Sequence, residues 1–568
     1  MYDVVIRNGL VLDGSGGEPY KADVAVTDGR IAALGANLGP AKEEIDAKGL
    51  LVTPGFVDVH THYDGQVTWE SRLAPSSNHG VTTIVTGNCG VGFAPCKPAD
   101  HDGLIALMAG VEDIPEVVMA DGLPWNWESF PDYLDAVDAR PHDVDIAALI
   151  PHSALRVYVM GERAIRREAA TPADVEAMAT IASEAMEAGA VGFGTSRAIQ
   201  QKSIRGEPIP TVGAGEDELQ GIVTQVVKRG GYFQVLSDFE QFRDVEGEFA
   251  MLRRVTDKAG GRMSFTLNQK HKDPDGWRRL LTLAEQANRE GVTIRPQVLG
   301  RPTGLLMGHE LTQTPFDSSP LYRRLKLELP IAALAVELKR PEVKAQILAE
   351  VGDTEVRMAL FELDDRVDYE PLPEQSLAAR AAAAGRPTAE FIYDVMLQDD
   401  GRQILSAPVQ NFADGSLSAP YEMITHPDTV LGLGDGGAHC GLVCDASYPT
   451  TMLTYWTRDR TRGPRLTLPE VVKKLAADTA ELVGLKDRGR VAVGYKADLN
   501  VIDYDRLRMF RPEPVYDLPT GGRRIVQRSE GYVATLVSGV VTYREGQSTG
   551  AMPGRVVRGA QKEPMVAA

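Results

Sequence analysis

The sequence is poor in cysteine, aromatic residues and positive charge, and it has no long apolar run. Four cysteines in 568 residues, Cys89, Cys96, Cys440 and Cys444, are too few for a disulfide scaffold. Aromatic residues make up 6% of the chain. Sixty Lys and Arg against 79 Asp and Glu leave a net charge of −19, which argues against nucleic acid or an anionic membrane as the main partner. No stretch approaches the roughly 18 consecutive apolar residues of a membrane span. The first residues, Met1-Tyr2-Asp3-Val4-Val5-Ile6-Arg7, lack the basic-then-apolar order of a signal peptide, so a cytoplasmic protein is expected. Histidine is also scarce, ten in all. Two of the ten stand one residue apart.

With 43% hydrophobic and 24% charged residues the composition is that of an ordinary globular chain, and its length exceeds one typical core. Residues 1–55 alternate apolar and polar positions over 4–8, 10–13, 23–27 and 30–34, with Asp28-Gly29 as a hairpin turn. From about 56 to 489 the pattern changes to short apolar runs (82–86, 145–150, 190–194, 232–236, 263–267, 293–298). Helical periodicity alternates with them over 172–188, 217–228 and 276–290. Such βα repeats demand a parallel sheet, and about eight of them predict an α/β fold of the (β/α)8 TIM-like barrel type. Strand-like runs return at 498–503, 532–538 and 540–544. Residues 1–55 and 490–568 are therefore expected to form a small composite β-sandwich from both chain ends, around a barrel at 56–489. The segment 300–410 fits the repeat least well and is read as an insertion over the barrel mouth, with one long helical pattern at 331–351.

His60-Thr61-His62 ends the apolar run 51–59. Side chains of a strand alternate, so the two imidazoles share a face and can converge on one cation; two solvated histidines are the plain alternative. Cys89 follows the run 81–86 within Gly87-Asn88-Cys89-Gly90, a turn that would leave its side chain at the barrel mouth, although a lone cysteine is more often a small buried hydrophobe. Asp435 ends the run 429–433 in Gly434-Asp435-Gly436-Gly437-Ala438-His439. It is placed to bind a metal and to accept a proton from activated water, or is simply a turn aspartate.

These segments together resemble the amidohydrolase superfamily, in particular its N-acyl-D-amino-acid deacylase (D-aminoacylase) branch. The matching stretches are 54–62, 80–95, part of 189–196, 433–439 and 469–503, with Val537-Ser538-Gly539-Val540 and Gly550-Ala551-Met552-Pro553-Gly554-Arg555 near the end. The resemblance implies a metal-dependent hydrolase that cleaves the amide bond of an N-acylated, D-configured amino acid or related amide. His60, His62 and Asp435 would hold the metal, Asp435 would also be the general base, and Cys89 matches a cysteine ligand of the family. The resemblance further implies that Lys270 would meet a substrate carboxylate, a solvated surface lysine being the plain alternative. His152, with Arg156 in the same motif, is either a substrate contact or a hydrogen-bonded structural histidine. His439 either bonds substrate or orients Asp435, and Asn268 is a further candidate for substrate contact.

The departures are specific. The family takes two more histidines from its fifth and sixth strands, and this chain has none between His152 and His271. At the fifth strand the ligand position falls on an apolar residue or on Asp238. At the sixth it falls on Asn268, in Thr266-Leu267-Asn268-Gln269-Lys270. One zinc ion is therefore expected, with the second site weakened or lost. The expected partner is a small-molecule substrate, and a homo-oligomer stays open. Two other readings remain: a hydrolase of a cyclic amide, carbamate or lactone-type ester on the same scaffold, and a ligand-binding relative with weak catalysis.

Overall fold

A computed structural model describes residues 1–239, 244–352 and 359–564. Strands from the two chain ends pair in one nine-stranded sheet. The first two runs of the sequence merge into a single strand, Tyr2–Val11, with an irregularity between Ile6 and Gly9. Its first half pairs in parallel with Ala41–Asp46 and its second half with Leu51–Pro54. Tyr20–Thr27 takes its other edge, so the sheet extends to both sides of one strand. Leu51–Pro54 then pairs antiparallel with Leu499–Ile502, which joins the beginning of the chain to its end. The enclosed core draws on both ends: Ile6, Val24, Ile31 and Val52 with Leu499, Val501, Ala534 and Leu536.

Between these ends, seven parallel strands run in chain order from Phe56–Asp58 to Thr293–Ile294. The expected run 293–298 is split, because Pro296 has no N–H to give a ladder, and Gln297–Val298 pairs instead with Val430–Leu431. Isolated parallel bridges Thr266–Gln297 and Thr61–Gly436 connect this pair to the sixth and first strands. The alternation expected of a sheet buried on both faces is visible. Ile84, Ile146, Ala148 and Ile150 join the core that holds the helices, while Val85, Ala147 and Leu149 join a second core with Leu485 and Val557. Helix Pro172–Ala188 begins where the Thr171 side chain accepts the Asp174 N–H at 3.2 Å, and it ends at Gly189.

Segment 300–410, apart from 353–358, which lie outside the described residues, has a core of its own around Phe316, Tyr322, Leu338, Ile347 and Ile392. The single helix expected over 331–351 is two, Ile331–Leu338 and Pro341–Val351, since a proline cannot continue the first one and suits the first turn of the second. Among the described residues no helix is long and apolar enough to cross a membrane.

The terminal sheet is fastened to the parallel strands by close packing and by charge. Gly55 passes so near Thr82 that a Cβ would lie 2.2 Å from its Oγ1, which accounts for glycine there. Asp145, 2% exposed, receives Arg488 Nη1 at 2.7 Å, Lys496 Nζ at 2.6 Å and the Arg555 N–H at 3.0 Å. Burial alone would raise its pKa, but Lys496 and Arg488 outweigh it and hold the carboxyl below the ordinary range. Removing one partner of a buried pair strands the others. Asp145→Ala is expected to destabilise the chain by about 3–5 kcal/mol in denaturant unfolding; a loss below about 1 kcal/mol, the scale of a surface pair, would contradict this role.

Candidate metal centre

The site forms where four chain segments meet at the carboxyl edge of the parallel strands. His60 lies two residues past the strand Phe56–Asp58. The Thr61 N–H donates to Val85 O at 3.2 Å, His62 N–H to Gly436 O at 2.7 Å, and Asp435 N–H to His60 O at 3.1 Å. Backbone bonds thus hold the histidines between the second strand and the Asp435 loop. Gly87 turns the chain after Val81–Thr86 at φ 81°, where a Cβ would lie 2.2 Å from Leu149 O. Cys89 follows in the left-handed region at φ 53°, as do Asp435 at 46° and His439 at 49°. Three non-glycine residues in that sparsely populated region, all at this edge, mark a place where packing overrides backbone preference.

His60, His62 and Cys89 bring a ligand atom each within 4.8 Å of one another, and all three are buried. Cys89 Sγ lies 3.4 Å from His60 Nε2. Asp435 Oδ1 lies 3.4 Å from His60 Nε2 and 3.6 Å from His62 Nε2. On the far side of the His60 ring, Nδ1 is 2.6 Å from Gln297 Oε1. An oxygen there requires Nδ1 to carry the proton, which leaves the Nε2 lone pair facing Cys89 and Asp435. Beside His62, Glu112 Oε1 stands 3.6 Å from Nδ1, while Glu112 Oε2 stands 3.5 Å from His439 Nε2.

In the protein alone two of the four donors carry a proton that a metal would displace, one on His62 and one on Cys89. Burial lowers His60 to about 4, so it is neutral. Burial opposes charge on His62 as well, but Glu112 and Asp435 raise it well above the ordinary histidine value. Burial would also raise Asp435, yet His62 and His60 hold it far below the usual carboxylate range. Burial pushes the Cys89 thiol up to about 11. Two imidazoles, a carboxylate and a sulfur are the donors that a tetrahedral zinc site uses. As a ligand Cys89 becomes anionic like Asp435, and a divalent cation neutralises the two. The donor set therefore fits the metal that the chain order of these residues suggested.

The other residues singled out in the sequence are placed differently. Asp238 does not belong to the cluster: its Oδ1 is 3.3 Å from Lys270 Nζ, and Gln200 Nε2 donates to Oδ2. Lys270, read as the partner of a substrate carboxylate, thus faces a carboxylate of its own chain. His152 and Arg156, read as substrate contacts, are fully buried and bound within the protein. His152 has Thr195 Oγ1 at 2.7 Å and Glu218 Oε1 at 3.0 Å; Arg156 donates to Glu218, Pro210 O and Glu168 O. This network consumes all three guanidinium nitrogens and both imidazole nitrogens. Asn268 Oδ1 accepts from Asn411 Nδ2 at 3.1 Å. His439 lies on the Asp435 loop, with Glu112 between it and His62.

Glu112 and Gln297 were not read from the sequence. Gln297 carried a faint signal as a lone amide in an apolar strand. Glu112 carried none, as the last residue of helix His101–Glu112.

Comparison with known proteins gives one consistent result. The Amidohydrolase family profile matches residues 43–543. An uncharacterized protein of Mycobacterium tuberculosis is 28% identical, over 97% of this chain and 93% of its own length. The D-aminoacylase of Alcaligenes xylosoxydans xylosoxydans is 27% identical, over 98% and 97%. Among solved structures, N-acyl-D-glutamate deacylase from Bordetella bronchiseptica, complexed with zinc and a phosphonate inhibitor, shares the fold. Its TM-score is 0.65 at 23% identity, covering 98% of this chain and 99% of that one.

All four cysteines are buried and free, and burial raises each thiol pKa to between about 11 and about 12. The native metal-free protein should therefore resist a thiol reagent at pH 8, and four thiols should react after denaturation. Fast labelling of any native thiol would contradict this packing.

Proposed function

The chain belongs to the amidohydrolase family and is a hydrolase of carbon–nitrogen bonds other than peptide bonds; from this premise we propose that it cleaves the amide bond of a small N-acylated compound. An N-acylated, D-configured amino-acid derivative is the nearest class, since relatives over nearly the whole chain are a D-aminoacylase and N-acyl-D-glutamate and N-acyl-D-aspartate deacylases. The observation that carries the reading is the convergence of His60, His62, Cys89 and Asp435 at one edge of the parallel strands. This reading takes 56–489 as a (β/α)8 barrel, which the bridges Thr61–Gly436 and Thr266–Gln297 support, and 1–55 with 490–568 as a composite β-domain.

His60 and His62, together with Cys89 and Asp435, would hold one zinc ion. Such an ion, when bound, lowers the pKa of water toward neutrality and polarises the scissile carbonyl. The residues of the chain do the rest. Asp435, kept ionised by the imidazoles, accepts a proton from the attacking water at its carboxylate and returns it to the leaving nitrogen. Gln297 fixes the His60 tautomer, and Glu112 flanks the His62 ring. The reading of one ion is supported by the commitments of the two residues expected at the second position: Asp238 is held by Lys270 and Gln200, and Asn268 by Asn411.

The test is a hydrolysis screen over acylated D- and L-amino acids, their amides and cyclic imides, with added zinc and with chelator. Turnover should need zinc and fall by about 10⁴-fold or more in Asp435→Asn, the scale of losing a central proton-transfer group, with unchanged circular dichroism. Near-normal activity of that variant would sink the mechanism.

A further inference from the structure

A cavity of about 240 Å³ opens past the carboxyl ends of the strands Tyr232–Leu236 and Arg262–Phe265. The strands are parallel, so this is the edge that carries His60 and Cys89. Its charges cancel. Lys270 Nζ lies 3.3 Å from Asp238, whose side chain is 3% exposed, and Arg279 faces Asp273 at 3.9 Å. Two cations and two carboxylates line the cavity among the described residues, giving a sum of zero. At the same edge the buried Arg301 is likewise matched, 2.8 Å from Asp445.

The remaining polar lining among the described residues is the four carboxamides Gln200, Gln201, Asn268 and Gln410, the hydroxyls of Ser237 and Thr266, and the Trp277 indole. Gln201 Oε1 is buried and has no hydrogen-bond partner among the described residues. A free carboxylate entering here would shed water beside Asp238 and find each lining cation already facing a carboxylate, so the hydroxyl, indole and amide donors would bond it while no unmatched charge among the described residues balanced its own. A carboxamide or ring imide brings N–H donors for Gln201 Oε1 and carbonyl acceptors for the side-chain amides, with no charge to bury.

We infer that the substrate group lodged in this cavity is uncharged: an N-acyl compound whose carboxyl is masked as a carboxamide, an ester or a ring-closed imide, rather than the free acid. The inference rests on the hydrolase reading of the site and narrows its substrate class.

Matched pairs test it. Calorimetry on the full zinc-loaded chain would compare N-acetyl-D-methionine with N-acetyl-D-methioninamide, and the leucine pair likewise. The carboxamides should bind at least about tenfold tighter, a difference of about 1.4 kcal/mol. Asp238→Asn, which removes a negative charge from the lining, should tighten binding of the acids by at least about tenfold. Acids that bind the unsubstituted protein as tightly as the amides would overturn the inference. So would an Asp238→Asn variant that binds the acids no better. Turnover of the same pairs separates the two claims. Amide-selective binding without hydrolysis of either member removes the hydrolase reading alone, while acid-selective binding with hydrolysis removes this inference alone.

Discussion

The contact of Asp435 with two buried imidazoles is the interaction on which the rest of this edge depends. One carboxylate oxygen stands 3.4 Å from His60 and 3.6 Å from His62, with the Cys89 sulfur 3.4 Å from His60. Burying polar groups is costly unless their charges and hydrogen bonds are met. In the protein alone that cost is limited by keeping His60 neutral and the Cys89 thiol protonated. A divalent cation relieves it further, because it replaces the thiol proton and balances both anionic donors.

The surroundings are built to hold that contact in place. Gln297 fixes one face of His60, and the helix ending at Glu112 reaches both His62 and His439. The next residue, Asp113, accepts from the Gly441 N–H at 3.3 Å and from Thr312 Oγ1 at 3.2 Å, which ties the Asp435 loop to the helix and to segment 300–410. Farther down, Asp145 binds cations from the last part of the chain, so the sheet made by the chain ends and the parallel strands share one ionic network. Positive φ at Cys89, Asp435 and His439 shows where this framework overrides local preference.

What the sequence reveals follows from the range of the interactions involved. Strand alternation and the His-x-His pair are local, and they predicted the parallel strands, the helices such as Pro172–Ala188 and the place of His60 and His62. Cys89 and Asp435 were legible through the turns that follow their strands. Gln297 was not, because its partner His60 lies 237 residues away. Glu112 gave no signal, since a glutamate at a helix end looks the same whether it faces solvent or an imidazole. His152 and Arg156 sit in a motif that suggests substrate contact, yet Glu218, 66 residues beyond His152, claims both. Asp238 is withheld from the metal cluster by Lys270, 32 residues on, a pairing that no spacing rule exposes. The break at Pro341 is a simpler matter: apolar periodicity ran through a proline that the backbone could not follow.

X-ray absorption at the zinc edge of the reconstituted protein tests the central claim most directly. The account predicts one equivalent of zinc with a single sulfur neighbour at about 2.3 Å and nitrogen or oxygen neighbours at about 2.0–2.2 Å. The sulfur contribution should disappear in Cys89→Ser. Zinc surrounded by nitrogen and oxygen alone in the unsubstituted protein would contradict it.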